Sequence, residues 1–326
     1  MSASSWDRES GASLVGALLL VAVMASIAAV LAGDLRFAMR RSANMDVRDQ
    51  AYWYALGARE LTESLIVRAL DDPRRALRPD AGWLNEARVF PIDQGALAGL
   101  VRDGNNCFNL NALVTRGADG DLVADAVQQR RFEVLMTSLG IPAVQAGRIA
   151  GQAVDWIDSD NRPGPGGGED ALYPDYRTAN TLMAERAELL ALAAMTPAIY
   201  ARLAPLVCTR PQAEPLVLNV NTLTTDQWPL LVAVFDGGLS RAAAEGILIA
   251  RPRDGFADAN AFWDVEAVRE LDPDAERRET VGIDTRYFEI EIDVTHAGQR
   301  FELAALVEFR GGRDVRRITQ TYGSLS

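Results

Sequence analysis

The first pattern along the chain is an uncharged run. From Ala12 to Ala32 every residue is apolar or small, about 21 residues and so ~32 Å of helix, enough to cross a bilayer. A secretory signal peptide has a shorter apolar region followed by a small-residue cleavage site and unrelated sequence. Here the helical pattern continues. Beyond Asp34 no proline occurs until Pro73, and apolar or small residues recur at Ala51, Tyr54, Ala55, Ala58, Leu61 and Leu65, the spacing of one helix face. The pattern predicts a single helix from Ala12 to Leu70, ~90 Å long, with an apolar first half and an amphipathic second half. Such a helix packs its first half against like helices while its second half lies on a globular head.

After Arg286 the period changes to two. Tyr287, Glu289, Glu291 and Asp293 alternate with Phe288, Ile290, Ile292 and Val294 before a turn at His296-Ala297-Gly298-Gln299. Phe301–Phe309 and Val315–Tyr322 follow as antiparallel partners, and Arg88–Ile92 and Asn106–Val114 are shorter strand candidates. Helix-like stretches fill the middle, among them Ala124–Leu139 and Thr181–Ala194. Thr224 to Val268 reads as three short helices with turns at Asp236-Gly237-Gly238 and Arg251-Pro252-Arg253-Asp254-Gly255. The expected class is α+β: a long helix on an antiparallel sheet, with a large helical domain inserted between early and late strands.

The composition suits a folded chain: 326 residues, 48% hydrophobic and 24% charged. The net charge of −12 repels phosphate backbones. The three short helices resemble a helix-hairpin-helix unit, whose DNA-binding forms hold a phosphate on hairpin amides. Asp236 and Glu245 flank that turn, so a packing module is expected and nucleic acid is not a partner. All 33 basic residues are arginine, which excludes Schiff-base chemistry and the lysine-dependent phosphate loop. Cys107 and Cys208 are too far apart for a local redox or zinc motif. Two buried thiols and a long-range disulfide both remain open, because the compartment decides between them.

The most chemically pointed stretch runs from Asp155 to Tyr176, a loop by composition. Asp158 and Asp160 are two residues apart, and the glycine run lets Glu169 and Asp170 fold back toward them. Four carboxylates with carbonyls and water suit calcium, which takes about 6–8 oxygens. Asp155 and Asp175 are second choices. The register is not that of an EF-hand, and on spacing alone a solvated acidic loop is the better reading. An enzymatic alternative, a membrane-anchored periplasmic metal-dependent hydrolase, would use the same cluster. Against it, the single histidine, His296, is expected at a hairpin apex, and no Gly-x-Ser-x-Gly motif occurs.

Several segments together resemble the minor pseudopilin K of type II secretion, the general secretion pathway protein K family. Gly11 before an uncharged helix is the layout of a prepilin. Asn105-Asn106-Cys107-Phe108-Asn109-Leu110-Asn111, Asp155-Trp156-Ile157-Asp158-Ser159-Asp160, Gly166-Gly167-Gly168-Glu169-Asp170 and Leu218-Asn219-Val220-Asn221-Thr222 follow in the family's order. The resemblance implies a leader at 1–11 removed by prepilin peptidase between Gly11 and Ala12, and a spine helix at 12–70. It also implies a pilin-like β head at 71–118 and 271–326, and an inserted helical domain at 119–270. Calcium is then a structural cofactor held by Asp158, Asp160, Glu169 and Asp170. The implied location is the inner membrane, single-pass, with the globular part in the periplasm, where a Cys107–Cys208 bridge is favoured. A literal count of basic residues disagrees, since Asp7, Arg8 and Glu9 precede the span and Arg36, Arg40 and Arg41 follow it.

The same resemblance implies no enzyme. Ordinary pseudopilins carry a glutamate at the fifth mature position, and Gly16 stands there. A subunit lacking it cannot neutralise the terminal amine of a subunit above, so the implied place is the tip of the pseudopilus, nucleating or capping the fibre for export across the outer membrane. The implied partners are the minor pseudopilins I and J, the major pseudopilin below and prepilin peptidase, and an insert too large for the filament lattice is expected to face outward, toward secreted cargo or the outer-membrane channel.

Overall fold

The computed structural model describes residues 6–215 and 217–322. Residues 1–5, part of the expected leader, lie outside the described residues, and at the Gly11–Ala12 junction only the helical backbone is described. Helix α1 spans Trp6–Ala69 without a break, as a proline-free, alanine- and leucine-rich stretch allows. From Leu14 to Asp46 every residue is exposed. Further along, Ala51, Ala55, Arg59, Ile66 and Leu70 are buried in one row, and the alanines let a sheet approach the helix axis closely.

A one-turn helix α2 (Pro73–Ala76) leads to strands β1 (Arg88–Ile92) and β2 (Gly95–Asp103). The chain then leaves the sheet for more than half its length. Two-residue β3 (Phe108–Asn109), β4 (Val114–Arg116) and β5 (Leu122–Ala124) precede helices α3 (Ala126–Ser138) and α4 (Ala143–Ile157). An irregular stretch follows, then α5 (Pro197–Leu203), β6 (Val207–Cys208), β7 (Leu218–Asn219), α6 (Trp228–Val234), α7 (Arg241–Ala250), α8 (Ala259–Trp263), α9 (Glu266–Arg269), α10 (Ala275–Arg278) and β8 (Val281–Gly282). The sheet resumes with β9 (Tyr287–His296), β10 (Gln299–Phe309) and β11 (Val315–Tyr322).

The sheet order is β1-β2-β9-β10-β11, antiparallel throughout. Phe288, Ile290, Ile292 and Val294 of β9 are buried in one core with Leu97, Val101, Leu303, Ala305, Val307 and the α1 row. This is the alternation expected from a period of two. Arg59 bonds Gln320 and Glu60, and Arg317 reaches Glu63 at 3.2 Å, so ion pairs tie the edge strand β11 to the helix. A second, larger core belongs to the excursion, with buried members from Leu110 to Val281. The expected insert limits of 119 and 270 fall inside that core.

What joins the two cores is a lattice of side-chain amides where the chain departs and returns. Gly104 N donates to Tyr287 O at 2.7 Å, and Asn105 Oδ1 accepts from Arg286 N at 3.1 Å and Tyr287 N at 2.9 Å. Asn106 and Asn219 embrace reciprocally: Asn219 N donates to Asn106 Oδ1 at 2.9 Å, and Asn106 Nδ2 donates to Asn219 O at 3.2 Å. Asn109, Asn111 and Asn221 likewise clamp remote backbone at Arg210, Met183 and Phe256. At the centre the buried carboxylate of Asp103 accepts from the hydroxyls of Thr222 and Thr285 and from Asn105 N. Every such bond satisfies a buried backbone or side-chain group that would otherwise cost ~1–3 kcal/mol. Beside the lattice β3 and β6 pair in parallel, and Cys107 and Cys208 are disulfide-bonded across 101 residues. The chain-entropy relation gives such a loop about 4–5 kcal/mol.

Three local expectations are corrected. Thr181–Ala194 is not an α-helix: it holds only a 3-10 turn at Arg186–Ala191, because Met183 is pinned through both its N–H and C=O to Asn111 and Asn180 is left-handed at φ 47°. Asn106–Val114 is not one strand but β3 and a 3-10 turn leading into β4. His296 is buried at the end of β9 instead of lying exposed in the turn, with Nδ1 2.9 Å from Asp93 O.

Two outcomes follow from the lattice. Asn219→Ala, which strands Asn221 N–H and removes the bond that the Thr285 hydroxyl accepts, is expected to lower the unfolding free energy by about 2–4 kcal/mol, measurable by urea titration. Burial pushes the Asp103 carboxyl from 3.8 up to about 6, against the opposing hydroxyls of Thr222 and Thr285, the Asn105 amide and the Arg210 charge. A raised carboxyl contributes stability that is full below about 3.8 and lost as pH rises through about 6. Asp103→Asn is therefore expected to flatten the dependence of stability on pH within that window.

Candidate metal centre

Helix α4 carries the acidic loop at its C-terminal end. The helix extends through Asp155, Trp156 and Ile157, so the loop begins three residues later than its composition indicates. Asp155 is 1% exposed, and its carboxylate faces inward across the loop. It accepts from Gly164 N at 3.1 Å and from Gly168 N at 2.7 Å, folding the glycine run back onto the helix. Such an approach requires glycine. A Cβ on Gly167 would stand 2.1 Å from Asp155 Oδ2, and one on Gly168 2.2 Å from Leu172 Cδ2.

The fold-back brings Asp158, Asp160 and Glu169 together, with one carboxylate oxygen of each within 4.8 Å of the others. Two oxygens on opposite sides of a calcium ion are about 4.6–5.2 Å apart, so the group has the span to enclose one ion. Asp158 Oδ1 and Glu169 Oε1 are buried with no hydrogen-bond partner, and so is Asn180 Oδ1 on the facing segment. Burial, then the charges of Asp155, Asp160 and Glu169, push Asp158 up to about 7. Burial also raises Glu169, against the Thr178 hydroxyl. Unpartnered buried oxygens on mutually repelling acids are costly unless a cation or proton meets them. Three carboxylates without a histidine or cysteine suit a hard cation, not zinc or copper.

Asp170, the fourth expected ligand, is engaged elsewhere. Its Oδ1 accepts from Thr178 N at 3.0 Å and the Thr178 hydroxyl at 3.1 Å, with Arg177 3.8 Å from Oδ2. Asp155 shapes the loop and Asp175 is exposed; neither belongs to the group of three. Asn180, not anticipated from the sequence, closes the site from across. Its N–H donates to Trp156 O at 3.0 Å and its Nδ2 to Asp160 O at 3.3 Å. Its left-handed backbone, which asparagine tolerates better than most residues, is a signal visible only in the folded chain. Trp156 Nε1 donates to Glu188 at 3.1 Å, and the Trp156, Tyr173 and Tyr176 rings pack together, linking the loop to the 3-10 turn at Arg186–Ala191.

A helix long and apolar enough to cross a membrane, continuing under an antiparallel sheet with a long helical excursion, is a pilin-like architecture. Family models described as type II secretion system protein K match residues 106–212 and 218–284. The type II secretion system protein K of Aeromonas hydrophila is 34% identical over 269 residues, covering 80% of this chain and 81% of that protein. That of Pectobacterium carotovorum subsp. carotovorum is 32% identical and covers 97% of each. Among solved structures, the GspK-GspI-GspJ complex of the enterotoxigenic Escherichia coli type 2 secretion system matches with a TM-score of 0.75. Identity there is 26%, over 87% of this chain and 99% of that one. The chain belongs to the type II secretion system protein K family, and it is a minor pseudopilin.

Two glycine substitutions test the loop with opposite signs. Gly167→Ala is expected to lower the melting temperature, because the new methyl meets the Asp155 carboxylate. Gly147→Ala, in α4 with open space around its Cβ, is expected to stabilise by about 0.5–1 kcal/mol. Paired thermal melts check both.

Proposed function

We propose that the protein is the tip subunit of the type II secretion pseudopilus and that its acidic loop holds a structural calcium ion. The calcium reading is carried by one observation: Asp158 and Glu169, each with an unpartnered buried oxygen, place a carboxylate oxygen with one of Asp160 within a span suited to calcium. Asp158, Asp160 and Glu169 are the proposed ligands, and Asp170 orders the facing segment through Thr178. When bound, calcium supplies positive charge that removes the mutual repulsion of the acids. Asp155 and Asn180 then hold the backbone on which the ligands sit.

In this reading α1 crosses the inner membrane once, and the sheet and excursion lie in the periplasm. Prepilin peptidase removes residues 1–11 between Gly11 and Ala12. Gly16 in place of a glutamate supports a position with no subunit above it. The partners are the minor pseudopilins I and J, with which the solved relative forms its complex, and the major pseudopilin beneath. The excursion faces outward, toward cargo or the outer-membrane channel. The role is binding and not catalysis: His296 packs on Tyr54 and Asp93 in the sheet, remote in the fold from the acidic loop, and family membership supports a structural component.

Calorimetric titration of calcium into the chelator-treated protein is expected to show a site that raises the melting temperature. Asp158→Ala and Glu169→Ala each abolish it, and Asp170→Ala weakens it less. Heat and melting temperature unchanged by calcium in the parent protein would remove the metal from this account.

A further inference from the structure

Between its apolar run and the head, α1 is bare on every side: all residues from Leu14 to Asp46 are exposed. Their charges are nevertheless segregated. At about 100° per residue, Arg36, Arg40, Asn44, Val47, Ala51 and Ala55 form one row, and Arg41 stands beside it. Asp46 and Asp49 point to the opposite side, and Asp34 lies on the flank near Arg41. The same row is the one whose upper members, Ala51 and Ala55, are buried against the sheet. The arginine side therefore lies beneath the overhanging head, the side a lateral helix reaches least.

Depth is set by the apolar run. Its ~32 Å matches a hydrocarbon core of about 30 Å, beyond which headgroups occupy roughly another 5–8 Å on each side. Arg36 lies ~6 Å past Ala32, at headgroup level, and Arg40 and Arg41 lie ~12–14 Å past it. From there their long side chains can fold back toward the phosphates. Among the described residues none of the three arginines makes an ion pair, whereas Arg59 and Arg317 higher on the molecule are both paired. Guanidinium groups match phosphate in a planar two-bond geometry.

We propose that Arg36, Arg40 and Arg41 form a collar that binds anionic phospholipid headgroups at the head-side surface of the membrane. The inference rests on the membrane-anchored reading of α1. It gives these arginines a role that a charge count for orientation does not, since they would hold the unassembled subunit at a fixed depth with its head above the bilayer.

The test uses the full chain in vesicles and in nanodiscs containing equal phosphatidylglycerol and phosphatidylcholine, with native mass spectrometry of the lipids retained on release. The parent protein is expected to retain phosphatidylglycerol over phosphatidylcholine by about tenfold, falling at high salt. The triple variant Arg36→Gln, Arg40→Gln, Arg41→Gln is expected to fall to parity, while Arg253→Gln with Arg313→Gln on the head changes nothing. Parity in the parent, or undiminished preference in the triple variant, overturns the collar. So does a triple variant that keeps its lipid preference but no longer co-purifies with a partner subunit, which would assign the arginines to an acidic helix. Failure of the parent to float with vesicles of either composition overturns the membrane reading and the collar together. Flotation without preference overturns the collar alone.

Discussion

A chain that leaves a β-sheet for most of two hundred residues and returns to the adjacent strand must seal the crossing, because the backbone there is buried between two cores and cannot turn to water for its hydrogen bonds. Here the seal is made by side-chain amides. Asn105, Asn106, Asn109, Asn111 and Asn221 each offer a donor and an acceptor to backbone at the crossing, and Asn219 accepts from Asn221 N while donating to the Thr285 hydroxyl. Asparagine suits this position because its amide mimics a peptide group on a short, stiff arm. Asp103 binds the two crossings at one point, and the disulfide fixes the same neighbourhood covalently.

The acidic loop depends on that seal. Asn111 holds Met183 by both of its backbone groups, and Met183 closes the segment that begins at the clustered acids and passes through Asn180. Between Asp158 and Thr196 the described residues form only 3-10 turns, so few backbone bonds define this part of the excursion. Its order comes instead from carboxylates at one end, an amide clamp at the other and a cluster of three aromatic rings between them. In the proposed reading, a cation at the acidic end would be a local device whose influence extends along the chain as far as Met183.

Much of this was legible in the sequence. The period of 3.6 marked the spine helix, and the period of two marked β9 to β11 with their buried faces, because each pattern is repeated over many residues and one face is buried. The meeting of Asp158, Asp160 and Glu169 was expected from the glycine run that lets the chain fold back, whereas their reading as calcium ligands, with Asp170 as a fourth, came from the family resemblance and not from spacing. The irregular stretch was not. Thr181–Ala194 has helix-forming composition, and only the remote Asn111 and the left-handed Asn180 prevent the helix from forming. Asp155 looked like a second-choice ligand, and its bonds to Gly164 and Gly168 arise from a fold-back that local spacing does not encode. His296 looked exposed because a hairpin apex normally is, but the neighbouring hairpin at Asp93 covers it. The asparagine motifs were recognisable as a pattern, and their work as backbone substitutes emerges only where distant segments meet.

The most direct measurement is amide hydrogen exchange of the full chain in calcium and in chelator. If an ion at Asp158, Asp160 and Glu169 organises the excursion, exchange between residues 158 and 183 slows in calcium while β9 and β10, whose bonds are made within the sheet, remain unchanged. Equal exchange in both conditions, or protection that appears in the sheet and not in the loop, would contradict that claim.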